Sequence, residues 1–195
     1  RGLGDVYKRQ GFLSSTSEPG TSSSALILDP KGDFLDKIRG LCERCGRAED
    51  LIILDPTHPD HSLRWNPFDS TDDELQLAMR FVAVMEAMGQ KNEKDSFFTD
   101  ASRTFMRHAI RFARLTNGGR AASLEDIQKI ATSAAEIARR ARKLPVESMT
   151  RDDDATLDYF ADQWTSLAPD TRSSIVATLA NMIDPFLMEP YRSVF

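Results

Sequence analysis

The stretch Ala25-Leu26-Ile27-Leu28-Asp29-Pro30-Lys31-Gly32 joins a four-residue apolar run to a turn signal, and Leu51-Ile52-Ile53-Leu54-Asp55-Pro56 repeats the arrangement further along. Apolar runs this short, stopped by proline, are expected to be buried parallel strands. Between them Phe34, Ile38, Leu41 and Cys45 recur at helical spacing, and Gly46 offers a C-cap. The unit reads as β-α-β. Ligands of open α/β sheets bind beyond the carboxyl ends of the strands, which draws attention to Asp29 and Lys31.

From residue 71 onward only helical signals remain, so the expected fold class is α/β: a partial parallel sheet followed by a mainly all-α domain. Thr71 with Glu74 suggests a capping box opening a central buried helix over Leu75–Met88, with Met79, Met85 and Met88 as core filler. Asp95 or Ser96 caps a second helix that ends at Asn117-Gly118-Gly119. Ser123 with Asp126 and Ser133 with Glu136 start two short helices that Leu144-Pro145 stops. Leu157, Phe160, Trp164 and Leu167 then share a helical face, and a last helix from about Thr171 to Asp184 turns Ile175, Leu179, Met182 and Ile183 inward.

Arg1–Gln10 has neither strand alternation nor an apolar helical face, and Gly11–Ser24 has linker composition. Residues 1–20 therefore read as a disordered or adapter-like tail on a probable fragment. The 195 residues are 41% hydrophobic and 28% charged, which excludes collagen-like and wholly disordered classes, and no apolar run approaches a membrane span. Two cysteines without secretory context fit a reducing cytosol.

The net charge of −5 is unevenly spread. Residues 1–99 carry 12 basic and 17 acidic side chains, residues 100–143 carry 10 and 4, and residues 144–195 carry 3 and 9. A cationic middle between anionic flanks is the pattern of a polyanion-facing segment, with a solvated helix face as its ordinary rival. Over Phe97–Leu115, 100° per residue puts Phe98, Ala101, Phe105, Ala109 and Phe112 in one sector and Arg103, Arg107, Arg111 and Arg114 opposite. That stripe has no i±4 acid partners and is expected to track a nucleic-acid backbone through phosphates, without base reading. Arg120, Arg139, Arg140, Arg142 and Lys143 are candidates to extend it.

No Gly-Lys-Ser or Gly-Lys-Thr occurs, and no acidic pair follows a strand, so the phosphate-holding lysine and the Mg²⁺-holding carboxylates of a P-loop enzyme are missing. The chain alone is expected neither to bind ATP tightly nor to hydrolyse it. Cys42-x2-Cys45-x12-His58-x2-His61 approaches zinc-finger spacing, but a strand of roughly 13 Å between the pairs would keep them from one ion. No metal site is expected. His108 reads as structural, and the acidic runs Asp69–Glu74 and Asp152–Asp154 read as helix-start charges.

The order of Asp29-Pro30-Lys31-Gly32-Asp33, a helix, Leu54-Asp55-Pro56, then Arg64-Trp65-Asn66-Pro67-Phe68-Asp69 before an all-helical stretch resembles the TraG/TraD family of type IV coupling proteins. Phe98-x-x-Ala101 and Arg172-Ser173-Ser174-Ile175 are weaker points of likeness. The resemblance implies a RecA-like motor domain interrupted by an all-α domain. It also implies a homo-hexamer on the cytoplasmic face of the bacterial inner membrane that moves DNA with ATP and Mg²⁺ alongside relaxosome or secretion-channel proteins. On that reading residues 21–70 are part of the nucleotide-binding domain, 71–170 the all-α domain and 171–195 a return helix. The P-loop would lie upstream of Ser22, and the Asp-Glu pair and membrane anchor would also lie outside this chain. Asp29, Lys31, Gly32 and Asp33 would be close to the nucleotide without being catalytic. A HerA/FtsK-like translocase of chromosomal DNA and a non-enzymatic helical adaptor for an acidic partner are the alternatives.

Overall fold

The computed structural model describes residues 24–87 and 96–195. Two compact units divide at Ile53/Leu54.

In the first unit Asp29-Pro30-Lys31-Gly32 is a turn closed by the Gly32 N–H on the Asp29 carbonyl at 3.2 Å, with Gly32 at φ +68, where a side chain would be strained. The Asp29 carboxylate accepts from the Gly32 N–H at 3.1 Å and from the Phe34 N–H at 2.8 Å. It thereby satisfies donors at the entrance to α1, Leu35–Arg44. Leu41 and Cys42 are buried on this helix and Cys45 ends it, its N–H bonded to the Leu41 carbonyl. Lys31 and Asp33 are exposed.

The expected α/β class, a partial RecA-like sheet of β-α-β form, is not what the chain adopts: no strand occurs among the described residues. Ala25–Leu28 and Leu51–Leu54 are irregular, with Leu26 89%, Leu28 82% and Ile52 75% exposed. A four-residue apolar run becomes a strand only when neighbouring strands take its N–H and C=O groups and cover its faces, and two such runs make too small a sheet to do so. The loss of that strand also removes the ground on which the Cys42/Cys45 and His58/His61 pairs were held apart. Among the described residues no group of three or more His, Cys, Asp or Glu side chains is placed to hold a metal ion.

The second unit is helical: α2 Glu74–Ala87, α3 Ser96–Thr116, α4 Leu124–Thr132, α5 Ala134–Ala141, α6 Arg151–Asp158 and α7 Pro169–Ile183. Its centre is α3, which packs against α2, α4, α6 and α7. Phe105, Met106, Ala109, Ile110, Phe112 and Ala113 are all at most 1% exposed. Burying each large side chain contributes roughly 1.5–3 kcal/mol, so this one helix organises the core. The more apolar α2 is not central, contrary to expectation: Leu77, Ala78 and Val82 are buried while Leu75, Met79 and Val84 are about half exposed. Met88 and the side chain of Met85 lie outside what is described. Nor does Thr71 open a capping box; Asp73 caps α2, accepting from the Gln76 N–H at 2.8 Å, and Glu74 points elsewhere.

After α6 the helix widens into a π turn over Tyr159–Gln163 before Trp164–Ser166. The extra residue rotates the register, so that Tyr159, Phe160 and Trp164 are all buried. Phe105 meets Trp164 at 4.5 Å and Phe112 meets Phe160 at 5.1 Å between ring centroids. The last helix turns Ile175, Leu179, Met182 and Ile183 inward as its periodicity requires.

Asn66 fastens the entering chain to this core. Its amide donates to the Ala122 carbonyl at 2.7 Å and its side-chain oxygen accepts from the Phe68 N–H at 3.0 Å, which seats Phe68 at 1% exposure. Asn66→Ala is expected to lower stability by about 1–3 kcal/mol, read from a urea midpoint, because both backbone groups lose their partner. Asn66→Asp should restore only the bond from Phe68.

Candidate nucleic-acid interface

The four arginines of α3 meet different surroundings. Arg103 pairs with Asp100 at 2.8 Å on the same helix, and its Nε is buried with no partner. Arg107 is exposed and has no carboxylate within ion-pair distance among the described residues. Arg111 donates from Nε to Asp153 at 2.6 Å, from one terminal nitrogen to Glu74 at 3.4 Å and from the other to the Thr150 hydroxyl at 3.1 Å. Arg114 donates to Glu74 at 2.9 Å and to the Phe68 carbonyl at 3.1 Å. The expectation of a stripe without acid partners is corrected here: Asp100 pairs with Arg103 at i−3, and the acids that hold Arg111 and Arg114 come from the starts of α2 and α6, far away in sequence, where no i±4 search finds them.

Glu74 and Asp153 belong to helix N-termini, where negative charge is favoured, and each carries a guanidinium of α3 as well. Burial raises the Asp153 carboxyl, but bonds from the Thr150 N–H and hydroxyl and from Arg111 outweigh it and hold it below the usual range. These groups line a cleft of about 460 Å³ together with Gly118, Gly119 and Lys143. Gly118 and Gly119 end α3 at φ +69 and +83, a conformation that favours glycine.

A second cluster gathers at the C-terminal end of α3. Arg140, only 6% exposed, donates to Glu136 at 2.7 Å, to Asn117 at 3.1 Å, to Thr116 at 3.4 Å and to Asp126. Asp126 also completes the Ser123 capping box, as its spacing implied. Ser133 caps α5, but Glu136 turns to Arg139 and Arg140 instead of closing a box. Arg139 and Arg140 are thus committed to carboxylates and do not extend a free cationic stripe. Arg120, Arg142 and Lys143 are exposed without a carboxylate partner among the described residues; Arg120 donates to the Asn117 carbonyl.

These pairs set an acid limit on the fold. The Arg139 bond, against some opposing burial and with Arg140 assisting, lowers Glu136 from 4.5 to about 2. For Asp126, burial pushes upward, and bonds from Asn117, the Ser123 N–H and Arg140 overcome it. Carboxyls depressed in the folded state stabilise it above their unfolded pKa and cease to as pH falls through the folded one. These carboxyls should therefore lower the urea midpoint as pH falls from 4.5 to about 2. His108 starts the loss earlier: its folded pKa lies below the unfolded 6.5, so the midpoint should already decline from about pH 6.5 towards 4. It stacks on Tyr159 at 4.3 Å, and burial, with Arg107 and Arg111 adding, keeps it neutral down to about 4.

The arrangement is thus a helical body whose inner cations are neutralised within the chain while several outer ones have no carboxylate partner among the described residues, a form suited to holding a polyanion by its backbone. A family model described as "Type IV secretory system Conjugative DNA transfer" matches residues 8–195, starting well before Ala25. No curated protein and no solved structure matches. The chain belongs to the conjugative DNA-transfer family of type IV secretion systems. No helix among the described residues is long and apolar enough to cross a membrane.

Proposed function

We propose that the chain is part of a coupling protein that works as a hexameric, ATP-driven DNA translocase at the inner membrane, and that its helical unit contacts the transported DNA through phosphates. ATP and Mg²⁺ are held in that assembly by residues other than these. Asp29, Lys31, Gly32 and Asp33 stand near the nucleotide on this reading, with Asp29 shaping the turn. The observation that carries the DNA contact is the division among the cations of residues 100–143: Arg111, Arg114 and Arg140 are paired with carboxylates, while Arg107, Arg120, Arg142 and Lys143 have no carboxylate partner among the described residues. Arg107 lies one turn along α3 from Arg111, and Lys143 shares the cleft with Arg111 and Arg114. The contact therefore centres on Arg107 and Lys143, with Arg103 beside them and Arg111 and Arg114 as its scaffold.

Fluorescence anisotropy of labelled DNA across a salt series tests this. The logarithm of affinity should fall linearly with the logarithm of salt for every sequence tried. Changing Arg107, Arg142 and Lys143 to Ala together should flatten the slope by about 0.7–0.9 per lost contact. Parent-like binding by that variant at every salt concentration contradicts the proposal, and capture of an acidic protein in place of DNA favours an adaptor.

A further inference from the structure

The geometry points to a base-stacking site for a single strand on the exposed rings of Trp65 and Tyr191. The chain enters and leaves the helical unit side by side: the Trp65 N–H donates to the Val194 carbonyl at 2.8 Å. Around that bond the rings form a continuous series. Trp65 packs edge-on against Phe195 at 5.9 Å, Phe195 against Phe186 at 5.1 Å, and Phe186 against Tyr191 at 6.4 Å. The inner two rings are half-buried, whereas Trp65 is 50% and Tyr191 44% exposed.

Each exposed ring has an arginine next to it in sequence, Arg64 beside Trp65 and Arg192 beside Tyr191. Arg64 is exposed with no carboxylate partner among the described residues. Among the described residues Arg192, 59% exposed, pairs only with Glu125, at 3.9 Å, which Lys129 already holds at 2.8 Å. Two open rings at the ends of a packed aromatic series, each with an exposed arginine as its neighbour in sequence, complement a ligand in which planar apolar faces alternate with anions. A single nucleic-acid strand has that chemistry, and a duplex does not, because its bases are already stacked. A purely apolar partner would offer the exposed Arg64 guanidinium no counter-charge.

The inference rests on the DNA-binding reading above, and the chain carries its own reporter. Of the two tryptophans, Trp164 is 4% exposed and insensitive to a surface ligand, so a change in indole emission reports Trp65. Titrating the full chain with oligothymidylate should quench that emission, and a duplex of equal length should bind without quenching it. Trp65→Ala and, separately, Tyr191→Ala should each weaken oligothymidylate binding about tenfold and leave duplex binding unchanged. Trp65→Phe, which keeps a ring against Phe195, should recover most of the loss. Oligothymidylate that binds without quenching Trp65, or that binds the Ala variants like the parent, overturns the stacking site while the phosphate-contact reading stands. Quenching by polyglutamate but not by oligothymidylate overturns it in favour of an acidic protein partner. Failure to bind either nucleic acid overturns both readings.

Discussion

Replacing Arg140 with alanine is expected to destabilise the protein by about 3–5 kcal/mol, a large share of the stability of a domain this size. The guanidinium is 6% exposed and gathers groups from three elements: Thr116 and Asn117 at the end of α3, Asp126 in the first turn of α4, and Glu136 on its own helix. Without it the Asp126 and Glu136 carboxylates, whose side chains are 17% and 13% exposed, face each other with less compensation. Arg140→Lys keeps the charge but loses the planar fork that reaches several acceptors, so it should fall between the parent and Arg140→Ala. Urea unfolding at neutral pH reads both variants, and a loss below about 1 kcal/mol for Arg140→Ala would mean that the cluster is far more solvated than its geometry shows.

Arg111→Ala should cost about 2 kcal/mol. The pair it breaks includes an Asp153 side chain only 5% exposed, but Arg111 itself is 25% exposed, and water screens part of the interaction. Asp153 would keep the Thr150 N–H at 2.8 Å and hydroxyl at 2.7 Å, which limits the loss. Glu74→Gln removes the charge shared by Arg111 and Arg114, so the two changes should be non-additive by about 0.5–3 kcal/mol in a double-mutant cycle. Additive effects would show that Glu74 and Arg111 act independently.

What the sequence made legible was governed by local spacing. The inward set of α7, the Ser123–Asp126 box, the end of α3 at two glycines and the burial of Phe105, Ala109 and Phe112 all follow from periodicity and capping within one or two turns. What failed depended on partners far along the chain. Leu26 and Ile52 look like strand residues, but a strand exists only by pairing. Glu74 reads as a capping acid from its distance to Thr71, yet it is held by Arg111 and Arg114, 37 and 40 residues away. Arg140 sits in the last turn of α5, where a cation also suits the helix dipole, and nothing local marks it as buried. The anchoring role of Asn66 has no local signal either, because its acceptor, Ala122, lies 56 residues on. The π turn after α6, which brings Tyr159 to the core beside Phe160, has no spacing signature of its own.

The division between neutralised and free cations is tested most directly by comparing Arg107→Ala and Arg111→Ala in two measurements each, urea unfolding and the salt dependence of DNA affinity. Arg107→Ala should leave stability within about 0.5 kcal/mol of the parent and flatten the salt slope by about 0.7–0.9. Arg111→Ala should lower stability by about 2 kcal/mol and leave the slope as it is. A flattened slope with unchanged stability for Arg111→Ala, or a parent-like slope for Arg107→Ala, would contradict the account.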